Sequence, residues 1–135
     1  GIGAKRAFDL TAAMMLLLLA LPALVVKLMI GENETARTVL KQGAELRGWA
    51  PSYPRELNSY AYDLANNGRL SDGLALLRIA VELFPKETNL YDSIGEFYLK
   101  SGDKVKAVEF YKKALALDPT FESSKQMLEK LDQRP

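Results

Sequence analysis

The chain has no cysteine and no histidine among its 135 residues. That removes disulfide staples, thiol nucleophiles, His-based triads and most metal-ligand sets in one step. An excess of either charge is missing too. Eighteen basic residues against 17 acidic ones leave a net charge of +1, which gives no reason to expect nucleic acid as a partner. No glycine-rich phosphate loop is present either, and no cofactor or metal site is expected.

What is present is unevenly spread. Residues 1–30 hold 22 apolar side chains and 4 charged ones. The following 105 residues hold the other 31 charges and are only about 41% apolar, the ordinary make-up of a water-soluble domain. Residues 10–26 carry no charge, and the run 7–30 is broken only by Asp9 and Lys27. As a helix, 7–30 would reach about 36 Å against a hydrocarbon core of about 30 Å. Lys5 and Arg6 precede it and Lys27 can snorkel at its far end. A cleavable signal peptide is the rival reading, but the run is long, Lys27 interrupts it where cleavage should occur, and no A-x-A site follows. The expectation is therefore a transmembrane anchor over 1–30, with membrane lipid as one partner. Pro22 would kink it; a re-entrant hairpin is the alternative, because 10–21 alone would cover about 18 Å.

The order Lys5-Arg6-Ala7-Phe8-Asp9-Leu10, a leucine-rich run and Pro22 resembles the membrane segment of bacterial polyprenyl-phosphate sugar-phosphate transferases. Those enzymes continue into a catalytic domain, whereas here Gly31-Glu32-Asn33-Glu34-Thr35 leads elsewhere, and no catalytic residue is carried over. The Asn33-Glu34-Thr35 triplet also fits a glycosylation sequon, a match that frequently arises by accident.

Beyond residue 30 the organising signal is a period. Pro51, Pro85 and Pro119 are 34 residues apart, as are Gly68 and Gly102. A 34-residue helix–turn–helix period resembles the tetratricopeptide (TPR) family. In 88–121, Tyr91, Ile94, Gly95 and Tyr98 stand at the first-helix consensus places. Ala107, Tyr111 and Ala114 stand at those of the second helix, and Pro119 closes the unit. In 54–87 the counterparts are Leu57, Tyr60, Ala61, Leu64, Gly73, Leu77, Ala80 and Pro85. Small residues should mark close helix crossings, and large ones should plug the gaps between neighbouring helices. Asn67-Gly68 and Ser101-Gly102 should end the first helices, with Asp103 capping the next.

Two repeats rarely bury enough surface alone. A capping helix is expected over 120–132, apolar at Phe121, Leu128 and Leu131. An upstream helix is expected over 34–47, the second half of a degenerate repeat with Pro51 in register, followed by a turn over 48–54. The fold class is therefore all-α: an N-terminal transmembrane helix, a linking helix and turn over 31–53, and a short TPR α-solenoid over 54–135. Glu56-Leu57-Asn58, Gly68-Arg69-Leu70, Phe84-Pro85 and Asn89-Leu90-Tyr91-Asp92-Ser93-Ile94-Gly95-Glu96 further resemble the TPR tail of some bacterial serine hydrolases. The G-x-S-x-G motif of those enzymes is absent and the S-x-x-K spacing at Ser101–Lys104 falls on the Ser101-Gly102 helix end of the repeat itself, so the resemblance implies fold and not activity.

TPR proteins bind partners on the face lined by the first helix of each repeat. Helical spacing puts Arg55, Asn58, Tyr62 and Ala65 on it, then Asn89, Asp92, Glu96 and Leu99, with Ser123, Gln126 and Lys130 extending it. Families that grip a C-terminal carboxylate use a Lys/Asn clamp there; Asp92 and Glu96 stand in its place. These two share a helix face as acid/base pairs can, yet nothing accompanies them that catalysis would need, and solvated charge is the expectation. Lys104, Lys106, Lys112 and Lys113 form a mildly basic outer edge. The reading is a non-enzymatic, membrane-anchored module for protein–protein interaction, an adaptor or assembly subunit of a membrane complex with protein partners and no small-molecule substrate. The alternative is an accessory subunit or fragment of a serine hydrolase or glycolipid-synthesising transferase. The bacterial inner membrane is the expected location, single-pass. Lys5 and Arg6 favour an inside amino terminus and a periplasmic TPR domain, against Arg37, Lys41 and Arg47 just beyond the run.

Overall fold

Glycine, proline and capping residues divide the polar part of the chain into short helices, and the computed structural model, which describes residues 33–133, shows where each one stops. The helices are α1 (Asn33–Leu46), α2 (Tyr53–Asn66), α3 (Leu70–Leu83), α4 (Thr88–Lys100), α5 (Lys104–Leu117) and α6 (Glu122–Asp132). They belong to two compact units, one ending at Tyr53 and one beginning at Pro54.

In the first unit α1 buries Ala36, Leu40 and Ala44, spaced four apart on one face. The Tyr53 hydroxyl donates to the Leu40 carbonyl at 3.4 Å, and the Arg47 guanidinium lies 4.7 Å above the Tyr53 ring. Gly48 and Trp49 both take left-handed backbone angles (φ 60° and 54°). Their N–H groups turn back to the carbonyls of Glu45 at 3.0 Å and Ala44 at 2.8 Å. The helix and turn expected over 34–47 and 48–54 fall within one residue of these bounds. Leu83 and Leu117 end α3 and α5, so a strict 34-residue period would carry α1 to Trp49, but it stops at Leu46.

The second unit repeats one device twice. Gly68 (φ 78°) and Gly102 (φ 87°) end α2 and α4 in the left-handed region, where glycine has no Cβ to clash. Arg69 N–H then bonds Leu64 O at 2.8 Å and Asp103 N–H bonds Tyr98 O at 2.9 Å. Asp103 caps α5, accepting from the Lys106 N–H at 3.0 Å. The helices meet where side chains are absent. A Cβ on Gly73 of α3 would lie 2.6 Å from the Ala61 carbonyl oxygen of α2 and 2.8 Å from the Phe97 ring of α4. A Cβ on Gly95 of α4 would lie 2.8 Å from the Tyr111 ring of α5. Leu57, Ala61, Leu77, Ala80, Leu90, Ile94, Phe97, Ala107, Tyr111 and Ala114 are buried around these crossings, and Leu131 joins them from α6. Tyr91, expected among the plugs, is only half-buried. It stacks on Phe110 at 6.4 Å and donates its hydroxyl to the Pro85 carbonyl at 2.8 Å.

The membrane placement is corrected. Among the described residues no helix is long and apolar enough to cross a membrane. A 14-residue helix reaches about 21 Å, short of the ~30 Å hydrocarbon core. The single-pass inner-membrane location with a periplasmic domain therefore has no helix here to carry it. The anchor expected over 1–30 lies outside the described residues.

Candidate functional site

Helices α2, α4 and α6 are linked by polar side chains 31 to 34 residues apart. Tyr62 of α2 and Glu96 of α4 are 34 residues apart, and the Tyr62 hydroxyl donates to Glu96 Oε2. The other oxygen, Glu96 Oε1, pairs with Lys100 Nζ at 3.1 Å. That ammonium also sits 5.6 Å from the Tyr62 ring centroid, and Tyr62 meets Phe97 edge-on at 5.0 Å. Burial, the Glu96 bond and the Glu96 and Asp92 charges hold the Tyr62 hydroxyl protonated well above the usual tyrosine range, with Ser93 working against them. Tyr111, fully buried, is pushed the same way by burial and then by the Asp92 and Glu96 charges.

Asp92 departs from expectation. It is buried rather than solvated. Its Oδ2 accepts from Ser123 Oγ at 3.0 Å and its Oδ1 from Ser124 Oγ at 2.6 Å, so both carboxylate oxygens are tied to the first turn of α6. A buried carboxylate is tolerable when hydroxyls satisfy it, and here the same bonds dock the capping helix. Neither acid of the expected pair is a free charge: Glu96 is tied to Tyr62 and Lys100, Asp92 to two serines.

Of the other expected residues, Arg55 and Asn89 are exposed, while Asn58 and Leu99 are half-buried. Ser123, Gln126 and Lys130 are exposed on α6, where Gln126 bonds Glu122 at 3.1 Å. Phe97, Lys100 and Ser124 complete the arrangement without having been singled out in the sequence. Ser124 had a readable signal, a small hydroxyl two residues before Gln126, the periodic mate of Asp92. Lys100 could have been found as the residue four beyond Glu96 on the same helix. The outer basic edge is largely compensated: Lys113 pairs with Glu109 at 3.0 Å and lies 4.4 Å from the Phe110 ring, and Lys106 lies 5.3 Å from that of Tyr98. A groove of about 600 Å³ runs between α5 and α6, floored by Val108, Leu128 and Leu131 and walled by Lys104, Lys112, Glu129 and Asp132.

The family model for the tetratricopeptide repeat matches residues 89–121. The chain contains a TPR repeat. A solved structure of similar fold, the first TPR of Spaghetti (RPAP3) bound to HSP90 peptide SRMEEVD, aligns with a TM-score of 0.55 and 20% identity, covering 86% of this chain and 90% of that one. No curated protein matches the chain. These findings support the TPR architecture and leave the hydrolase-tail and transferase resemblances without support. TPR units present binding surfaces for other proteins, and a protein–protein interaction module is the function class that fits the fold.

Proposed function

We propose that the chain is a docking module, an adaptor or assembly subunit, whose residues 54–135 hold an extended segment of a partner protein on the face of α2, α4 and α6. The observation that carries this is the pair of bridges along that face, Tyr62 to Glu96 and Asp92 to Ser123 and Ser124. They lock three helices in register without covering Arg55 or Asn89, which stay exposed beside them. Such preorganisation lowers the ordering cost of binding. Arg55, Asn58, Tyr62, Asn89, Glu96 and Leu99 make the contacts in this reading, while Asp92 positions α6. The similar solved TPR was captured with a peptide, which supports a ligand of that size. Lys100 offsets the charge of Glu96, whereas Asp92, bonded to neutral hydroxyls, keeps its negative charge beside the face.

The test is selection of binders from a random displayed peptide library on the full chain, followed by affinity measurement on variants. Asn89→Lys and Leu99→Glu on the face should each weaken a selected peptide about tenfold or more. Lys112→Glu on α5 should leave it unchanged. The opposite ranking contradicts the reading.

A further inference from the structure

Helix α6 begins 34 residues after α4, so it stands in the first-helix place of a third unit, and among the described residues no second helix follows it. In the unit before, α4 receives α5 through Gly95, which lies under the Tyr111 ring, and through Tyr98, whose ring meets Phe110 at 5.4 Å. One period on, those two places hold Glu129 and Asp132. A carboxylate where the repeat needs bare backbone keeps another helix of this kind from closing on α6. The groove of about 600 Å³ beside α5 therefore stays open. Its floor of Val108, Leu128 and Leu131 is apolar, and Val105, one turn before Val108, is 80% exposed. A solenoid end left to solvent carries a polar outer face instead.

The charges along the groove are sorted by bank, Lys104 and Lys112 on α5 and Glu129 and Asp132 on α6. Neighbouring lysines are engaged, Lys106 with Asp103 at 3.9 Å and Lys113 with Glu109 at 3.0 Å. None of the four groove charges is in an ion pair among the described residues. Helices α5 and α6, joined by the short turn over 118–121, form an antiparallel pair. Counting back from that turn puts Lys112 about 3 Å from the level of Glu129 and Lys104 about 4.5 Å from that of Asp132.

We infer that this groove is a two-fold interface between two copies of the chain. A two-fold axis along the groove turns each lysine bank over the acidic bank opposite and keeps every residue near its own level. Lys104 then meets Asp132 of the partner subunit, Lys112 meets Glu129 of the partner subunit, and the two apolar floors face each other. An axis across the groove would set lysine on lysine, which like-charge repulsion disfavours. The net charge of +1 puts little long-range repulsion in the way of self-association. None of the residues placed on the α2/α4/α6 face lines the groove, so the inference stands apart from the peptide reading.

The experiment measures the mass of the full chain in solution by sedimentation equilibrium over a range of concentrations. The parent should approach twice its 15.0 kDa. Lys104→Glu and Asp132→Lys should each weaken the dimer about tenfold or more, because the symmetry makes every lost pair and every new repulsion occur twice. The double reversal, Lys104→Glu with Asp132→Lys, puts opposite signs together again and should return to within about threefold of the parent. Each change suits its helix end, an acid in the first turn of α5 and a base in the last turn of α6. Melting temperatures that do not fall should therefore show that the fold is kept. A chain that holds the mass of one copy at every concentration overturns the inference and leaves the groove to another kind of occupant. A dimer that neither single reversal weakens places the contact elsewhere on the chain and contradicts it as well. So does a double reversal no tighter than the single ones, since the loss then comes from something other than this pairing.

Discussion

Gly95 lies under the ring of Tyr111 with no space for a methyl group, since a Cβ there would come within 2.8 Å of the ring. Tyr111 is itself fully buried, so the ring cannot swing aside without disturbing the α4–α5 crossing. Gly95→Ala should lose about 1–3 kcal/mol to overpacking and regain up to about 1 kcal/mol in helix propensity. A net loss in urea unfolding is the expected result. Gly68→Ala makes a useful contrast, because nothing lies within 4 Å of the added carbon and only its positive φ opposes the change. Tyrosine ionisation offers a second test at this scale. Tyr62 and Tyr111 hold their protons above the ordinary value of 10.0, through burial and the neighbouring carboxylates. Their folded-state pKa is raised, so the unfolded chain gives up these protons first. The stabilisation they contribute is complete below pH 10 and falls as pH rises through the unfolded and then the folded value. Spectrophotometric titration should show these two tyrosines still protonated while exposed ones ionise, and the urea midpoint should drop above pH 10. Full ionisation of every tyrosine in the folded chain at pH 10–11 contradicts this.

At the scale of single helices, α6 depends on polar docking more than on apolar burial. Leu131 and Ser124 are its buried residues, and Ser124 is buried because it serves Asp92. Ser124→Ala leaves one carboxylate oxygen unpaired in the interior, at a cost of about 1–3 kcal/mol. Amide hydrogen exchange should accelerate through α6 while α2 and α3 keep their protection, because the loss falls on one seam. Equal acceleration in every helix contradicts a local docking role. Most helix ends were legible in the sequence: the prolines at 85 and 119 and the glycines at 68 and 102 set them, and Asp103 caps α5 as its position implies. The close crossings were legible too, since Gly95 and Tyr111 occupy paired positions in the repeat. The end of α1 was legible to within one residue from the glycine at 48, although the left-handed Gly48–Trp49 turn breaks the helix three residues before a strict period would.

At the scale of the molecule, the arrangement of hairpins followed from a period, but the chemistry of the face did not. Asp92 reads as a surface charge in any local window. Its partners lie 31 and 32 residues away on another helix, and only the stacking of successive units brings them together. Tyr62 and Glu96 likewise look unrelated until the period is laid over them. Of the two acids on the face, Asp92 is buried against α6 and Glu96 stays partly exposed in a pair with Lys100, which changes what the face offers a partner. An anchor to a membrane, read from the apolar start of the chain, finds no spanning helix among the described residues. The docking account itself is tested most directly by mapping backbone amide chemical-shift changes as a selected peptide is added to the full chain. The account predicts the largest changes over residues 55–62, 89–99 and 123–130, with α3 and the outer side of α5 nearly still. Changes concentrated in α3, or in the Val108–Leu128 groove between α5 and α6, would contradict it.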